Sequence, residues 1–120
     1  MKESTTEKNN VTWALKTYGD ATKHPLTGRL LVRKMNGMGA RSWPDRMFVK
    51  DGGRTWYIEY KRPGEGPTPL QEAMITALRR LGHRVYLVDH AGEGRRIIES
   101  EMMSLLPSGY ADDGSPRRFR

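Results

Sequence analysis

The sequence predicts an α/β protein in which helices flank a mixed β-sheet, with the element order α-β-β-β-α-β-α. Its 120 residues suffice for a single domain with one modest core. Two β-rich runs, Arg46–Lys50 and Arg54–Lys61, flank a Gly-rich turn at Asp51–Gly53, which is a strong hairpin signal. A later helix leads into a further strand, and a strand–helix–strand crossover joins parallel strands. The sheet should therefore contain both strand directions.

The first half of the chain begins with a helix, predicted from about residue 5 to residue 18. Ser4-Thr5-Thr6-Glu7 has the pattern of a capping box, apolar residues then recur at helical spacing, and Gly19 ends the pattern. Residues 20–29 are dense in helix and strand breakers and are expected to form a loop. A short strand is predicted at residues 30–35.

The hairpin determines which residues of its two strands face each other. If Asp51–Gly53 is a three-residue loop, Lys50 pairs with Arg54 and Asp45 falls opposite Glu59. A two-residue loop would shift this register by one residue, so the sequence leaves two closely related alternatives.

The second half begins with the clearest helix start in the chain, Thr68-Pro69-Leu70-Gln71. Thr68 is the predicted N-cap, Pro69 suits the first helical position, and Gln71 completes a capping box. Gly82 provides the C-terminal stop.

A strand at residues 84–89 follows this helix. After the Gly-containing segment 90–94, apolar residues from Ile97 to Leu106 suggest a last helix that closes before Pro107. We expect one domain over residues 1–106 and a disordered basic tail over residues 107–120.

The end of the hairpin gathers groups that can perform chemistry on a phosphate. Glu59 and Lys61 point to the same face of their strand, whereas Tyr60 points to the other. Two carboxylates, Asp45 and Glu59, can hold a hard divalent cation through oxygen, and the lysine can orient a water or stabilise charge on a phosphate. The alternative is a solvated strand face with Asp45 in a turn. Spacing alone leaves both open.

Charge and composition favour a polyanionic partner. The net charge is +7 with a pI of about 10.0, which makes nucleic acid the first candidate partner. The absence of cysteine excludes disulfides and thiolate metal sites and is compatible with a reducing cytoplasm. No apolar run approaches the length of a membrane span, and no secretory leader is evident.

Taken in order, these motifs resemble the VRR-NUC (virus-type replication-repair nuclease) family of the PD-(D/E)xK nuclease superfamily. Its members carry a Gly-rich loop, a Pro-Asp-Arg that opens a strand, a Glu-x-Lys on the next strand and a helix that starts with a Gln. The matching run comprises Gly39, Pro44-Asp45-Arg46, Glu59-Tyr60-Lys61, Arg62-Pro63-Gly64, Pro67-Thr68-Pro69-Leu70-Gln71 and Leu81-Gly82.

The resemblance implies a restriction-endonuclease-like core and a metal-dependent enzyme that cuts DNA phosphodiesters. It implies Mg²⁺ or Mn²⁺ held by Asp45, Glu59 and the carbonyl of Tyr60, with Lys61 beside the attacking water and Gln71 reaching the site from its helix. Small stand-alone members are associated with homodimers that act on branched DNA such as four-way junctions. We therefore expect the protein in the cytoplasm of a bacterium or a phage-infected host cell.

The family also has an acidic residue on its first helix. Glu7 is the first choice for this additional metal ligand and Glu3 the second. The competing explanation for Glu7 is its place in the capping box of Ser4, and Gln71 has the same alternative in the capping box of Thr68.

Basic residues before and beside the proposed site suit phosphate contacts, which would make binding strongly dependent on salt. They are Arg29, Arg33, Lys34, Arg41 and Arg46. The alternative for this set is a solvated basic face. The alternative for the whole protein is a non-catalytic basic DNA-binding or recombination accessory module.

Overall fold

The computed structural model describes residues 4–36 and 42–107, which form one four-stranded sheet and three helices. The elements are α1 (Thr5–Tyr18), β1 (Leu30–Lys34), β2 (Arg46–Lys50), β3 (Arg54–Tyr60), α2 (Pro69–Arg80), β4 (Arg84–Val88) and α3 (Ala91–Met103). The predicted order of elements is confirmed. None of these helices is long and apolar enough to cross a membrane. Of the tail predicted to be disordered, residues 107–120, all but the first residue lie outside the described residues.

The sheet has the order β1-β2-β3-β4, with the first three strands antiparallel to one another and β4 parallel to β3. The mixed sheet predicted from the crossover is thus confirmed. Lys50 is the Cα partner of Arg54, so the hairpin has the three-residue loop. Gly52 and Gly53 adopt φ of 82° and 77°, the left-handed region that glycine occupies without steric cost.

Helices cover both faces of β3. Trp56, Ile58 and Tyr60 pack with residues of α1 and α3 on one face. Tyr57 packs on the other face with Ile75 and other residues of α2 and β4. The predicted alternation of β3 is confirmed, and because α2 covers the second face, the charged residues there are not on an open solvated surface.

Helix α3 begins earlier than the sequence suggested. It starts at Ala91 rather than near Ile97, and it includes Gly92 and Gly94. These glycines indicated a loop, but one of them is required by packing: a Cβ on Gly94 would lie 1.7 Å from the Asn10 Oδ1 atom of α1. Glycine at this position lets α1 and α3 approach closely.

Asn10 also connects this helix contact to the sheet. Its side chain is fully buried, its Nδ2 donates to the carbonyl of Ala91 (3.1 Å), and its Oδ1 accepts from the Tyr60 hydroxyl (3.2 Å). A residue of β3 is therefore fixed from the helical layer by a hydrogen bond between buried groups.

A second buried polar contact fastens α3 at the other end of β3. Glu101, which is 1% exposed, accepts hydrogen bonds from Arg54 Nε (2.6 Å), Arg84 Nε (2.7 Å) and the Tyr86 hydroxyl (2.7 Å). Several donors share this one carboxylate, which offsets the cost of burying its charge.

We predict that Gly94→Ala destabilises the protein by about 1–3 kcal/mol, because the added methyl must displace the buried Asn10 side chain. Gly92→Ala is the matched control: its Cβ would find its nearest neighbours 4.0 Å away, so higher helix propensity should leave stability unchanged or raise it by up to about 1 kcal/mol. Urea denaturation measures both, and equal effects of the two substitutions would contradict the packing argument.

Candidate active site

The hairpin register brings Asp45, just before the start of β2, next to Glu59, near the end of β3. The Asp45 backbone N–H donates to Glu59 Oε1 (3.1 Å), and the Tyr60 backbone N–H donates to Asp45 Oδ2 (2.8 Å). Asp45 is 6% exposed and Glu59 is 2% exposed. Each strand end thus supplies a carboxylate and a backbone donor to the other, which fixes the relative position of the two acids.

Lys61 and Gln71 complete this cluster from the end of β3 and the start of α2. The Lys61 ammonium lies 3.1 Å from Glu59 Oε2 and donates to Gln71 Oε1 (2.6 Å). The same Gln71 oxygen accepts from the Thr68 backbone N–H (3.0 Å), and Thr68 Oγ1 accepts from the Gln71 N–H (3.2 Å). The two explanations for Gln71 are compatible, because it forms the capping box and contacts Lys61 at once.

These groups open onto a cleft of about 820 Å³. Its lining consists of Ser4, Thr5, Asp45, Glu59, Tyr60, Lys61, Arg62, Glu65, Thr68 and Gln71. The structure therefore brings together five residues that the sequence assigned to the site: Asp45, Glu59, Tyr60, Lys61 and Gln71. Sequence reasoning missed the exposed Arg62, although its place next to Lys61 after the strand was a usable indication.

Burial gives the cleft unusual electrostatics. Burial first, and then the nearby Glu59 carboxylate, raise the pKa of Asp45 from 3.8 to about 6. The Tyr60 N–H and the Lys61 ammonium act in the opposite direction. Two buried acids in close contact thus form a site that favours the approach of an additional positive charge.

Glu7 is placed differently from the other predicted metal ligands. It is buried on α1, its Oε2 forms an ion pair with Arg46 Nε (2.7 Å), and its backbone N–H donates to Ser4 Oγ (3.0 Å). The capping interaction proposed for this residue is present, and Glu7 is not among the cleft-lining residues described above. Its alternative, Glu3, lies outside the described residues.

The basic residues proposed to contact DNA do not form one cluster. Arg29 forms an ion pair with Asp51 (3.0 Å) at the loop end of the hairpin, away from Asp45. Arg46 contacts Glu7 as described. Arg33 and Lys34 are exposed on β1, and Lys34 lies opposite Arg46 at the Asp45 end of the sheet. The fifth, Arg41, lies outside the described residues.

A separate group of possible metal-binding side chains occurs where β4 leads into α3. Ligand atoms of Asp89, His90 and Glu93 lie within 4.8 Å of one another. The His90 Nε2 atom is 3.7 Å from a carboxylate oxygen of each acid, and the three side chains are partly or fully exposed. The grouping is accounted for by these contacts between neighbouring polar side chains at the protein surface.

Comparisons with known proteins agree with the fold and the motif order. No sequence model of a protein family matches the chain. The chain is 33% identical over 84 residues to a protein named "Putative nuclease p44" from Acyrthosiphon pisum secondary endosymbiont phage 1, covering 64% of this chain and 81% of that protein. A solved structure described as a VRR_NUC domain aligns with a TM-score of 0.59 and 25% identity, covering 80% of this chain and 97% of the other.

The chain belongs to the VRR-NUC family. The resemblance found in the sequence is thereby confirmed, as is the restriction-endonuclease-like α/β core. Family membership and the relative's name together support a nuclease as the general class of activity. In this VRR-NUC domain, the hydrogen-bonded cluster is formed by Asp45, Glu59 and Lys61, the residues that the sequence resemblance led us to expect at the site.

We predict that Asp45→Asn raises the stability of the metal-free protein by about 1–2 kcal/mol at pH 8, because it removes one of two buried like charges. Since folding raises the pKa of Asp45 from 3.8 to about 6, its stabilising contribution is fully present below about pH 4, is lost as the pH rises from about 4 to about 6, and is absent at pH 8. The gain should therefore disappear as the pH falls below 4, where wild-type Asp45 is protonated in both states. Urea denaturation in EDTA at pH 8 and below pH 4 measures the difference in stability between Asp45→Asn and the wild type.

Asp51→Asn provides the control for this substitution. A hydrogen bond from Arg29 lowers the pKa of Asp51, so its ionised form is the favoured one and its removal should give no gain at pH 8. A gain at Asp51 equal to that at Asp45 would show that the effect does not come from the buried acid pair.

Proposed function

We propose that this VRR-NUC domain is a divalent-metal-dependent deoxyribonuclease that hydrolyses phosphodiester bonds of branched DNA such as four-way junctions. One observation carries the proposal: Asp45, Glu59 and Lys61 form a single hydrogen-bonded cluster that opens onto a cleft. A solvated strand face would not bury two acids or join them through backbone donors. Family membership adds the nuclease class.

The donor set fits a hard divalent cation, Mg²⁺ or Mn²⁺. Carboxylate and carbonyl oxygens are the ligands these ions prefer, and Asp45, Glu59 and the Tyr60 carbonyl would hold the ion. The two acids are buried yet line the cleft, and burial raises the pKa of Asp45, which supports a site where a cation would be favoured. When bound, the ion would supply Lewis-acid stabilisation of a phosphate oxygen.

Lys61 supplies the positive charge and the hydrogen-bond donors that the two carboxylates lack. Its ammonium sits between Glu59 Oε2 and Gln71 Oε1, so two acceptors hold it at the cleft wall. From there it can donate to an attacking water or to a phosphate oxygen whose charge grows in the transition state. Gln71 in turn is fixed by the capping box, so the start of α2 determines where the ammonium lies.

The choice of DNA as substrate rests on charge and family. The net charge of +7 favours a polyanion, and Lys34, Arg33 and Arg62 are exposed basic groups that suit phosphate contacts. Branched DNA and a homodimer are proposed from the small members of the family, since a two-fold dimer would place two sites at a fixed separation. A monomeric elution profile at working concentration would contradict the dimer. The proposed location is the cytoplasm of a bacterium or an infected host cell.

The test is cleavage of labelled four-way-junction, flap, nicked and linear duplex DNA with Mg²⁺ or Mn²⁺ and with EDTA. We expect cutting only with metal, fastest on the junction. Lys61→Ala and Glu59→Gln should each lower the rate at least about a hundredfold, as the loss of a transition-state contact or a ligand does in other enzymes. Lys16→Ala, which removes an exposed lysine at the far end of α1, is the control and should cut normally.

Two outcomes would change this assignment. Tight junction binding without cutting under any metal would favour the non-catalytic accessory module. Equal cutting of a matched RNA would contradict the choice of DNA.

We predict that Arg62→Ala weakens junction binding and lowers the slope of log Kd against log salt by about one. Arg62 is the exposed cation that follows Lys61 in the cleft lining, so one phosphate contact should be lost. Arg80→Ala is the matched control, because Arg80 is exposed at the opposite end of α2, about 17 Å along the helix axis from its start. Fluorescence anisotropy at several salt concentrations measures both variants. Equal slopes for Arg62→Ala and Arg80→Ala would show that Arg62 does not contact the DNA.

A further inference from the structure

Asn36 contacts the active site although neither the family motif nor the proposed chemistry includes it. It lies two residues beyond the end of β1, and its Nδ2 donates a hydrogen bond to Asp45 Oδ1. The other carboxylate oxygen of Asp45 accepts from the Tyr60 N–H. Each oxygen of this buried acid therefore has its own donor, one from β3 and one from the β1 end of the sheet.

We propose that Asn36 is a positioning residue that fixes the carboxylate of Asp45 in the orientation needed to hold the metal ion. The proposal rests on the proposed function. A carboxylate held through one oxygen can still rotate about its Cβ–Cγ bond, whereas donors on both oxygens define its plane. Each oxygen has two lone pairs, so one remains on each for a metal ion after both hydrogen bonds are made.

The backbone around Asn36 supports this role. The Met35 N–H donates to the Asp45 carbonyl oxygen (2.8 Å), which ties the chain after β1 to the residue before β2. Asn36 thus reaches Asp45 from a segment that is itself anchored to Asp45. β1 is an edge strand of the described sheet, and through Asn36 the segment that follows it also reaches Asp45 at the cleft.

The chemistry of an amide suits this position. A lysine or arginine here would add a positive charge next to the site of a divalent cation, and a carboxylate would repel Asp45. The Asn36 Oδ1 atom is buried without a hydrogen-bond partner among the described residues. Leaving a buried acceptor unpaired costs stability, so the amide is best explained by the hydrogen bond that its Nδ2 donates to Asp45.

The experiment measures Mn²⁺ binding by isothermal titration calorimetry on the full chain without DNA. Asn36→Ala and the size-matched Asn36→Leu should each raise the Mn²⁺ Kd about tenfold, the effect of losing a partner of a metal ligand. Asn9→Ala, an exposed asparagine of α1, is the control and should stay within about twofold of wild type. In cleavage assays the two Asn36 variants should lower kcat and leave the junction Kd in EDTA unchanged.

A double-mutant cycle with Asp45→Ala, followed by urea denaturation in EDTA, shows whether Asn36 acts through Asp45. Asn36→Ala removes the hydrogen bond to Asp45 and should raise the unfolding equilibrium constant about tenfold in the wild-type background. Beside Asp45→Ala, the same substitution should change this constant less than about twofold. Equal effects in both backgrounds, or wild-type Mn²⁺ affinity in both Asn36 variants, would overturn the proposal. A wild-type protein that binds no Mn²⁺ would instead contradict the proposed function. The double-mutant cycle in EDTA would still measure the coupling between Asn36 and Asp45.

Discussion

Two carboxylates buried beside each other at one end of a hairpin are the constraint on which this molecule depends. Asp45 and Glu59 would repel each other in isolation, and burial raises the pKa of Asp45. They are held because each strand end offers a backbone N–H to the acid of the other. Holding these two carboxylates together lowers the stability locally, and the remaining fold offsets this cost, as is common for sites that bind a charged group.

The rest of the fold can be understood as support for that pair. The Glu101 cluster fastens α3 to β3 and β4, and Asn10 fastens Tyr60 to the helical layer. On the other face, α2 covers β3 and directs its first turn toward Lys61. Hydrogen bonds and an ion pair join Asp45, Glu59, Lys61 and Gln71 to one another at the cleft, which suits a site that needs a fixed geometry.

Several side chains in this small domain serve two purposes. Gln71 caps α2 and holds the ammonium of Lys61 through the same oxygen. Tyr60 fixes Asp45 through its backbone and Asn10 through its hydroxyl. Arg46, which follows Asp45 on the chain, pairs with Glu7 and so links α1 to β2. A domain of this size has a small core, so the same side chains stabilise the fold and form the site.

Much of the fold could be predicted from the sequence because local patterns determine it. The Asp51–Gly53 turn left only two neighbouring registers, one of which places Asp45 opposite Glu59 as observed, and the Thr68 capping box defined the start of α2. Local patterns failed at α3, where Gly94 signalled a break. Only packing against Asn10 makes glycine the suitable residue inside that helix.

The sequence by itself thus determined the order of elements, narrowed the hairpin register to two neighbouring alternatives and supplied the residues that carry the family motif. Tertiary structure decided what surrounds them: that α2 covers the charged face of β3, that Glu7 faces Arg46, and that Asn36 reaches Asp45. The physical reason is that turns and caps are contacts between near neighbours, which short patterns encode. Burial and side-chain partners depend on segments far apart in the chain, whose meeting no local pattern records.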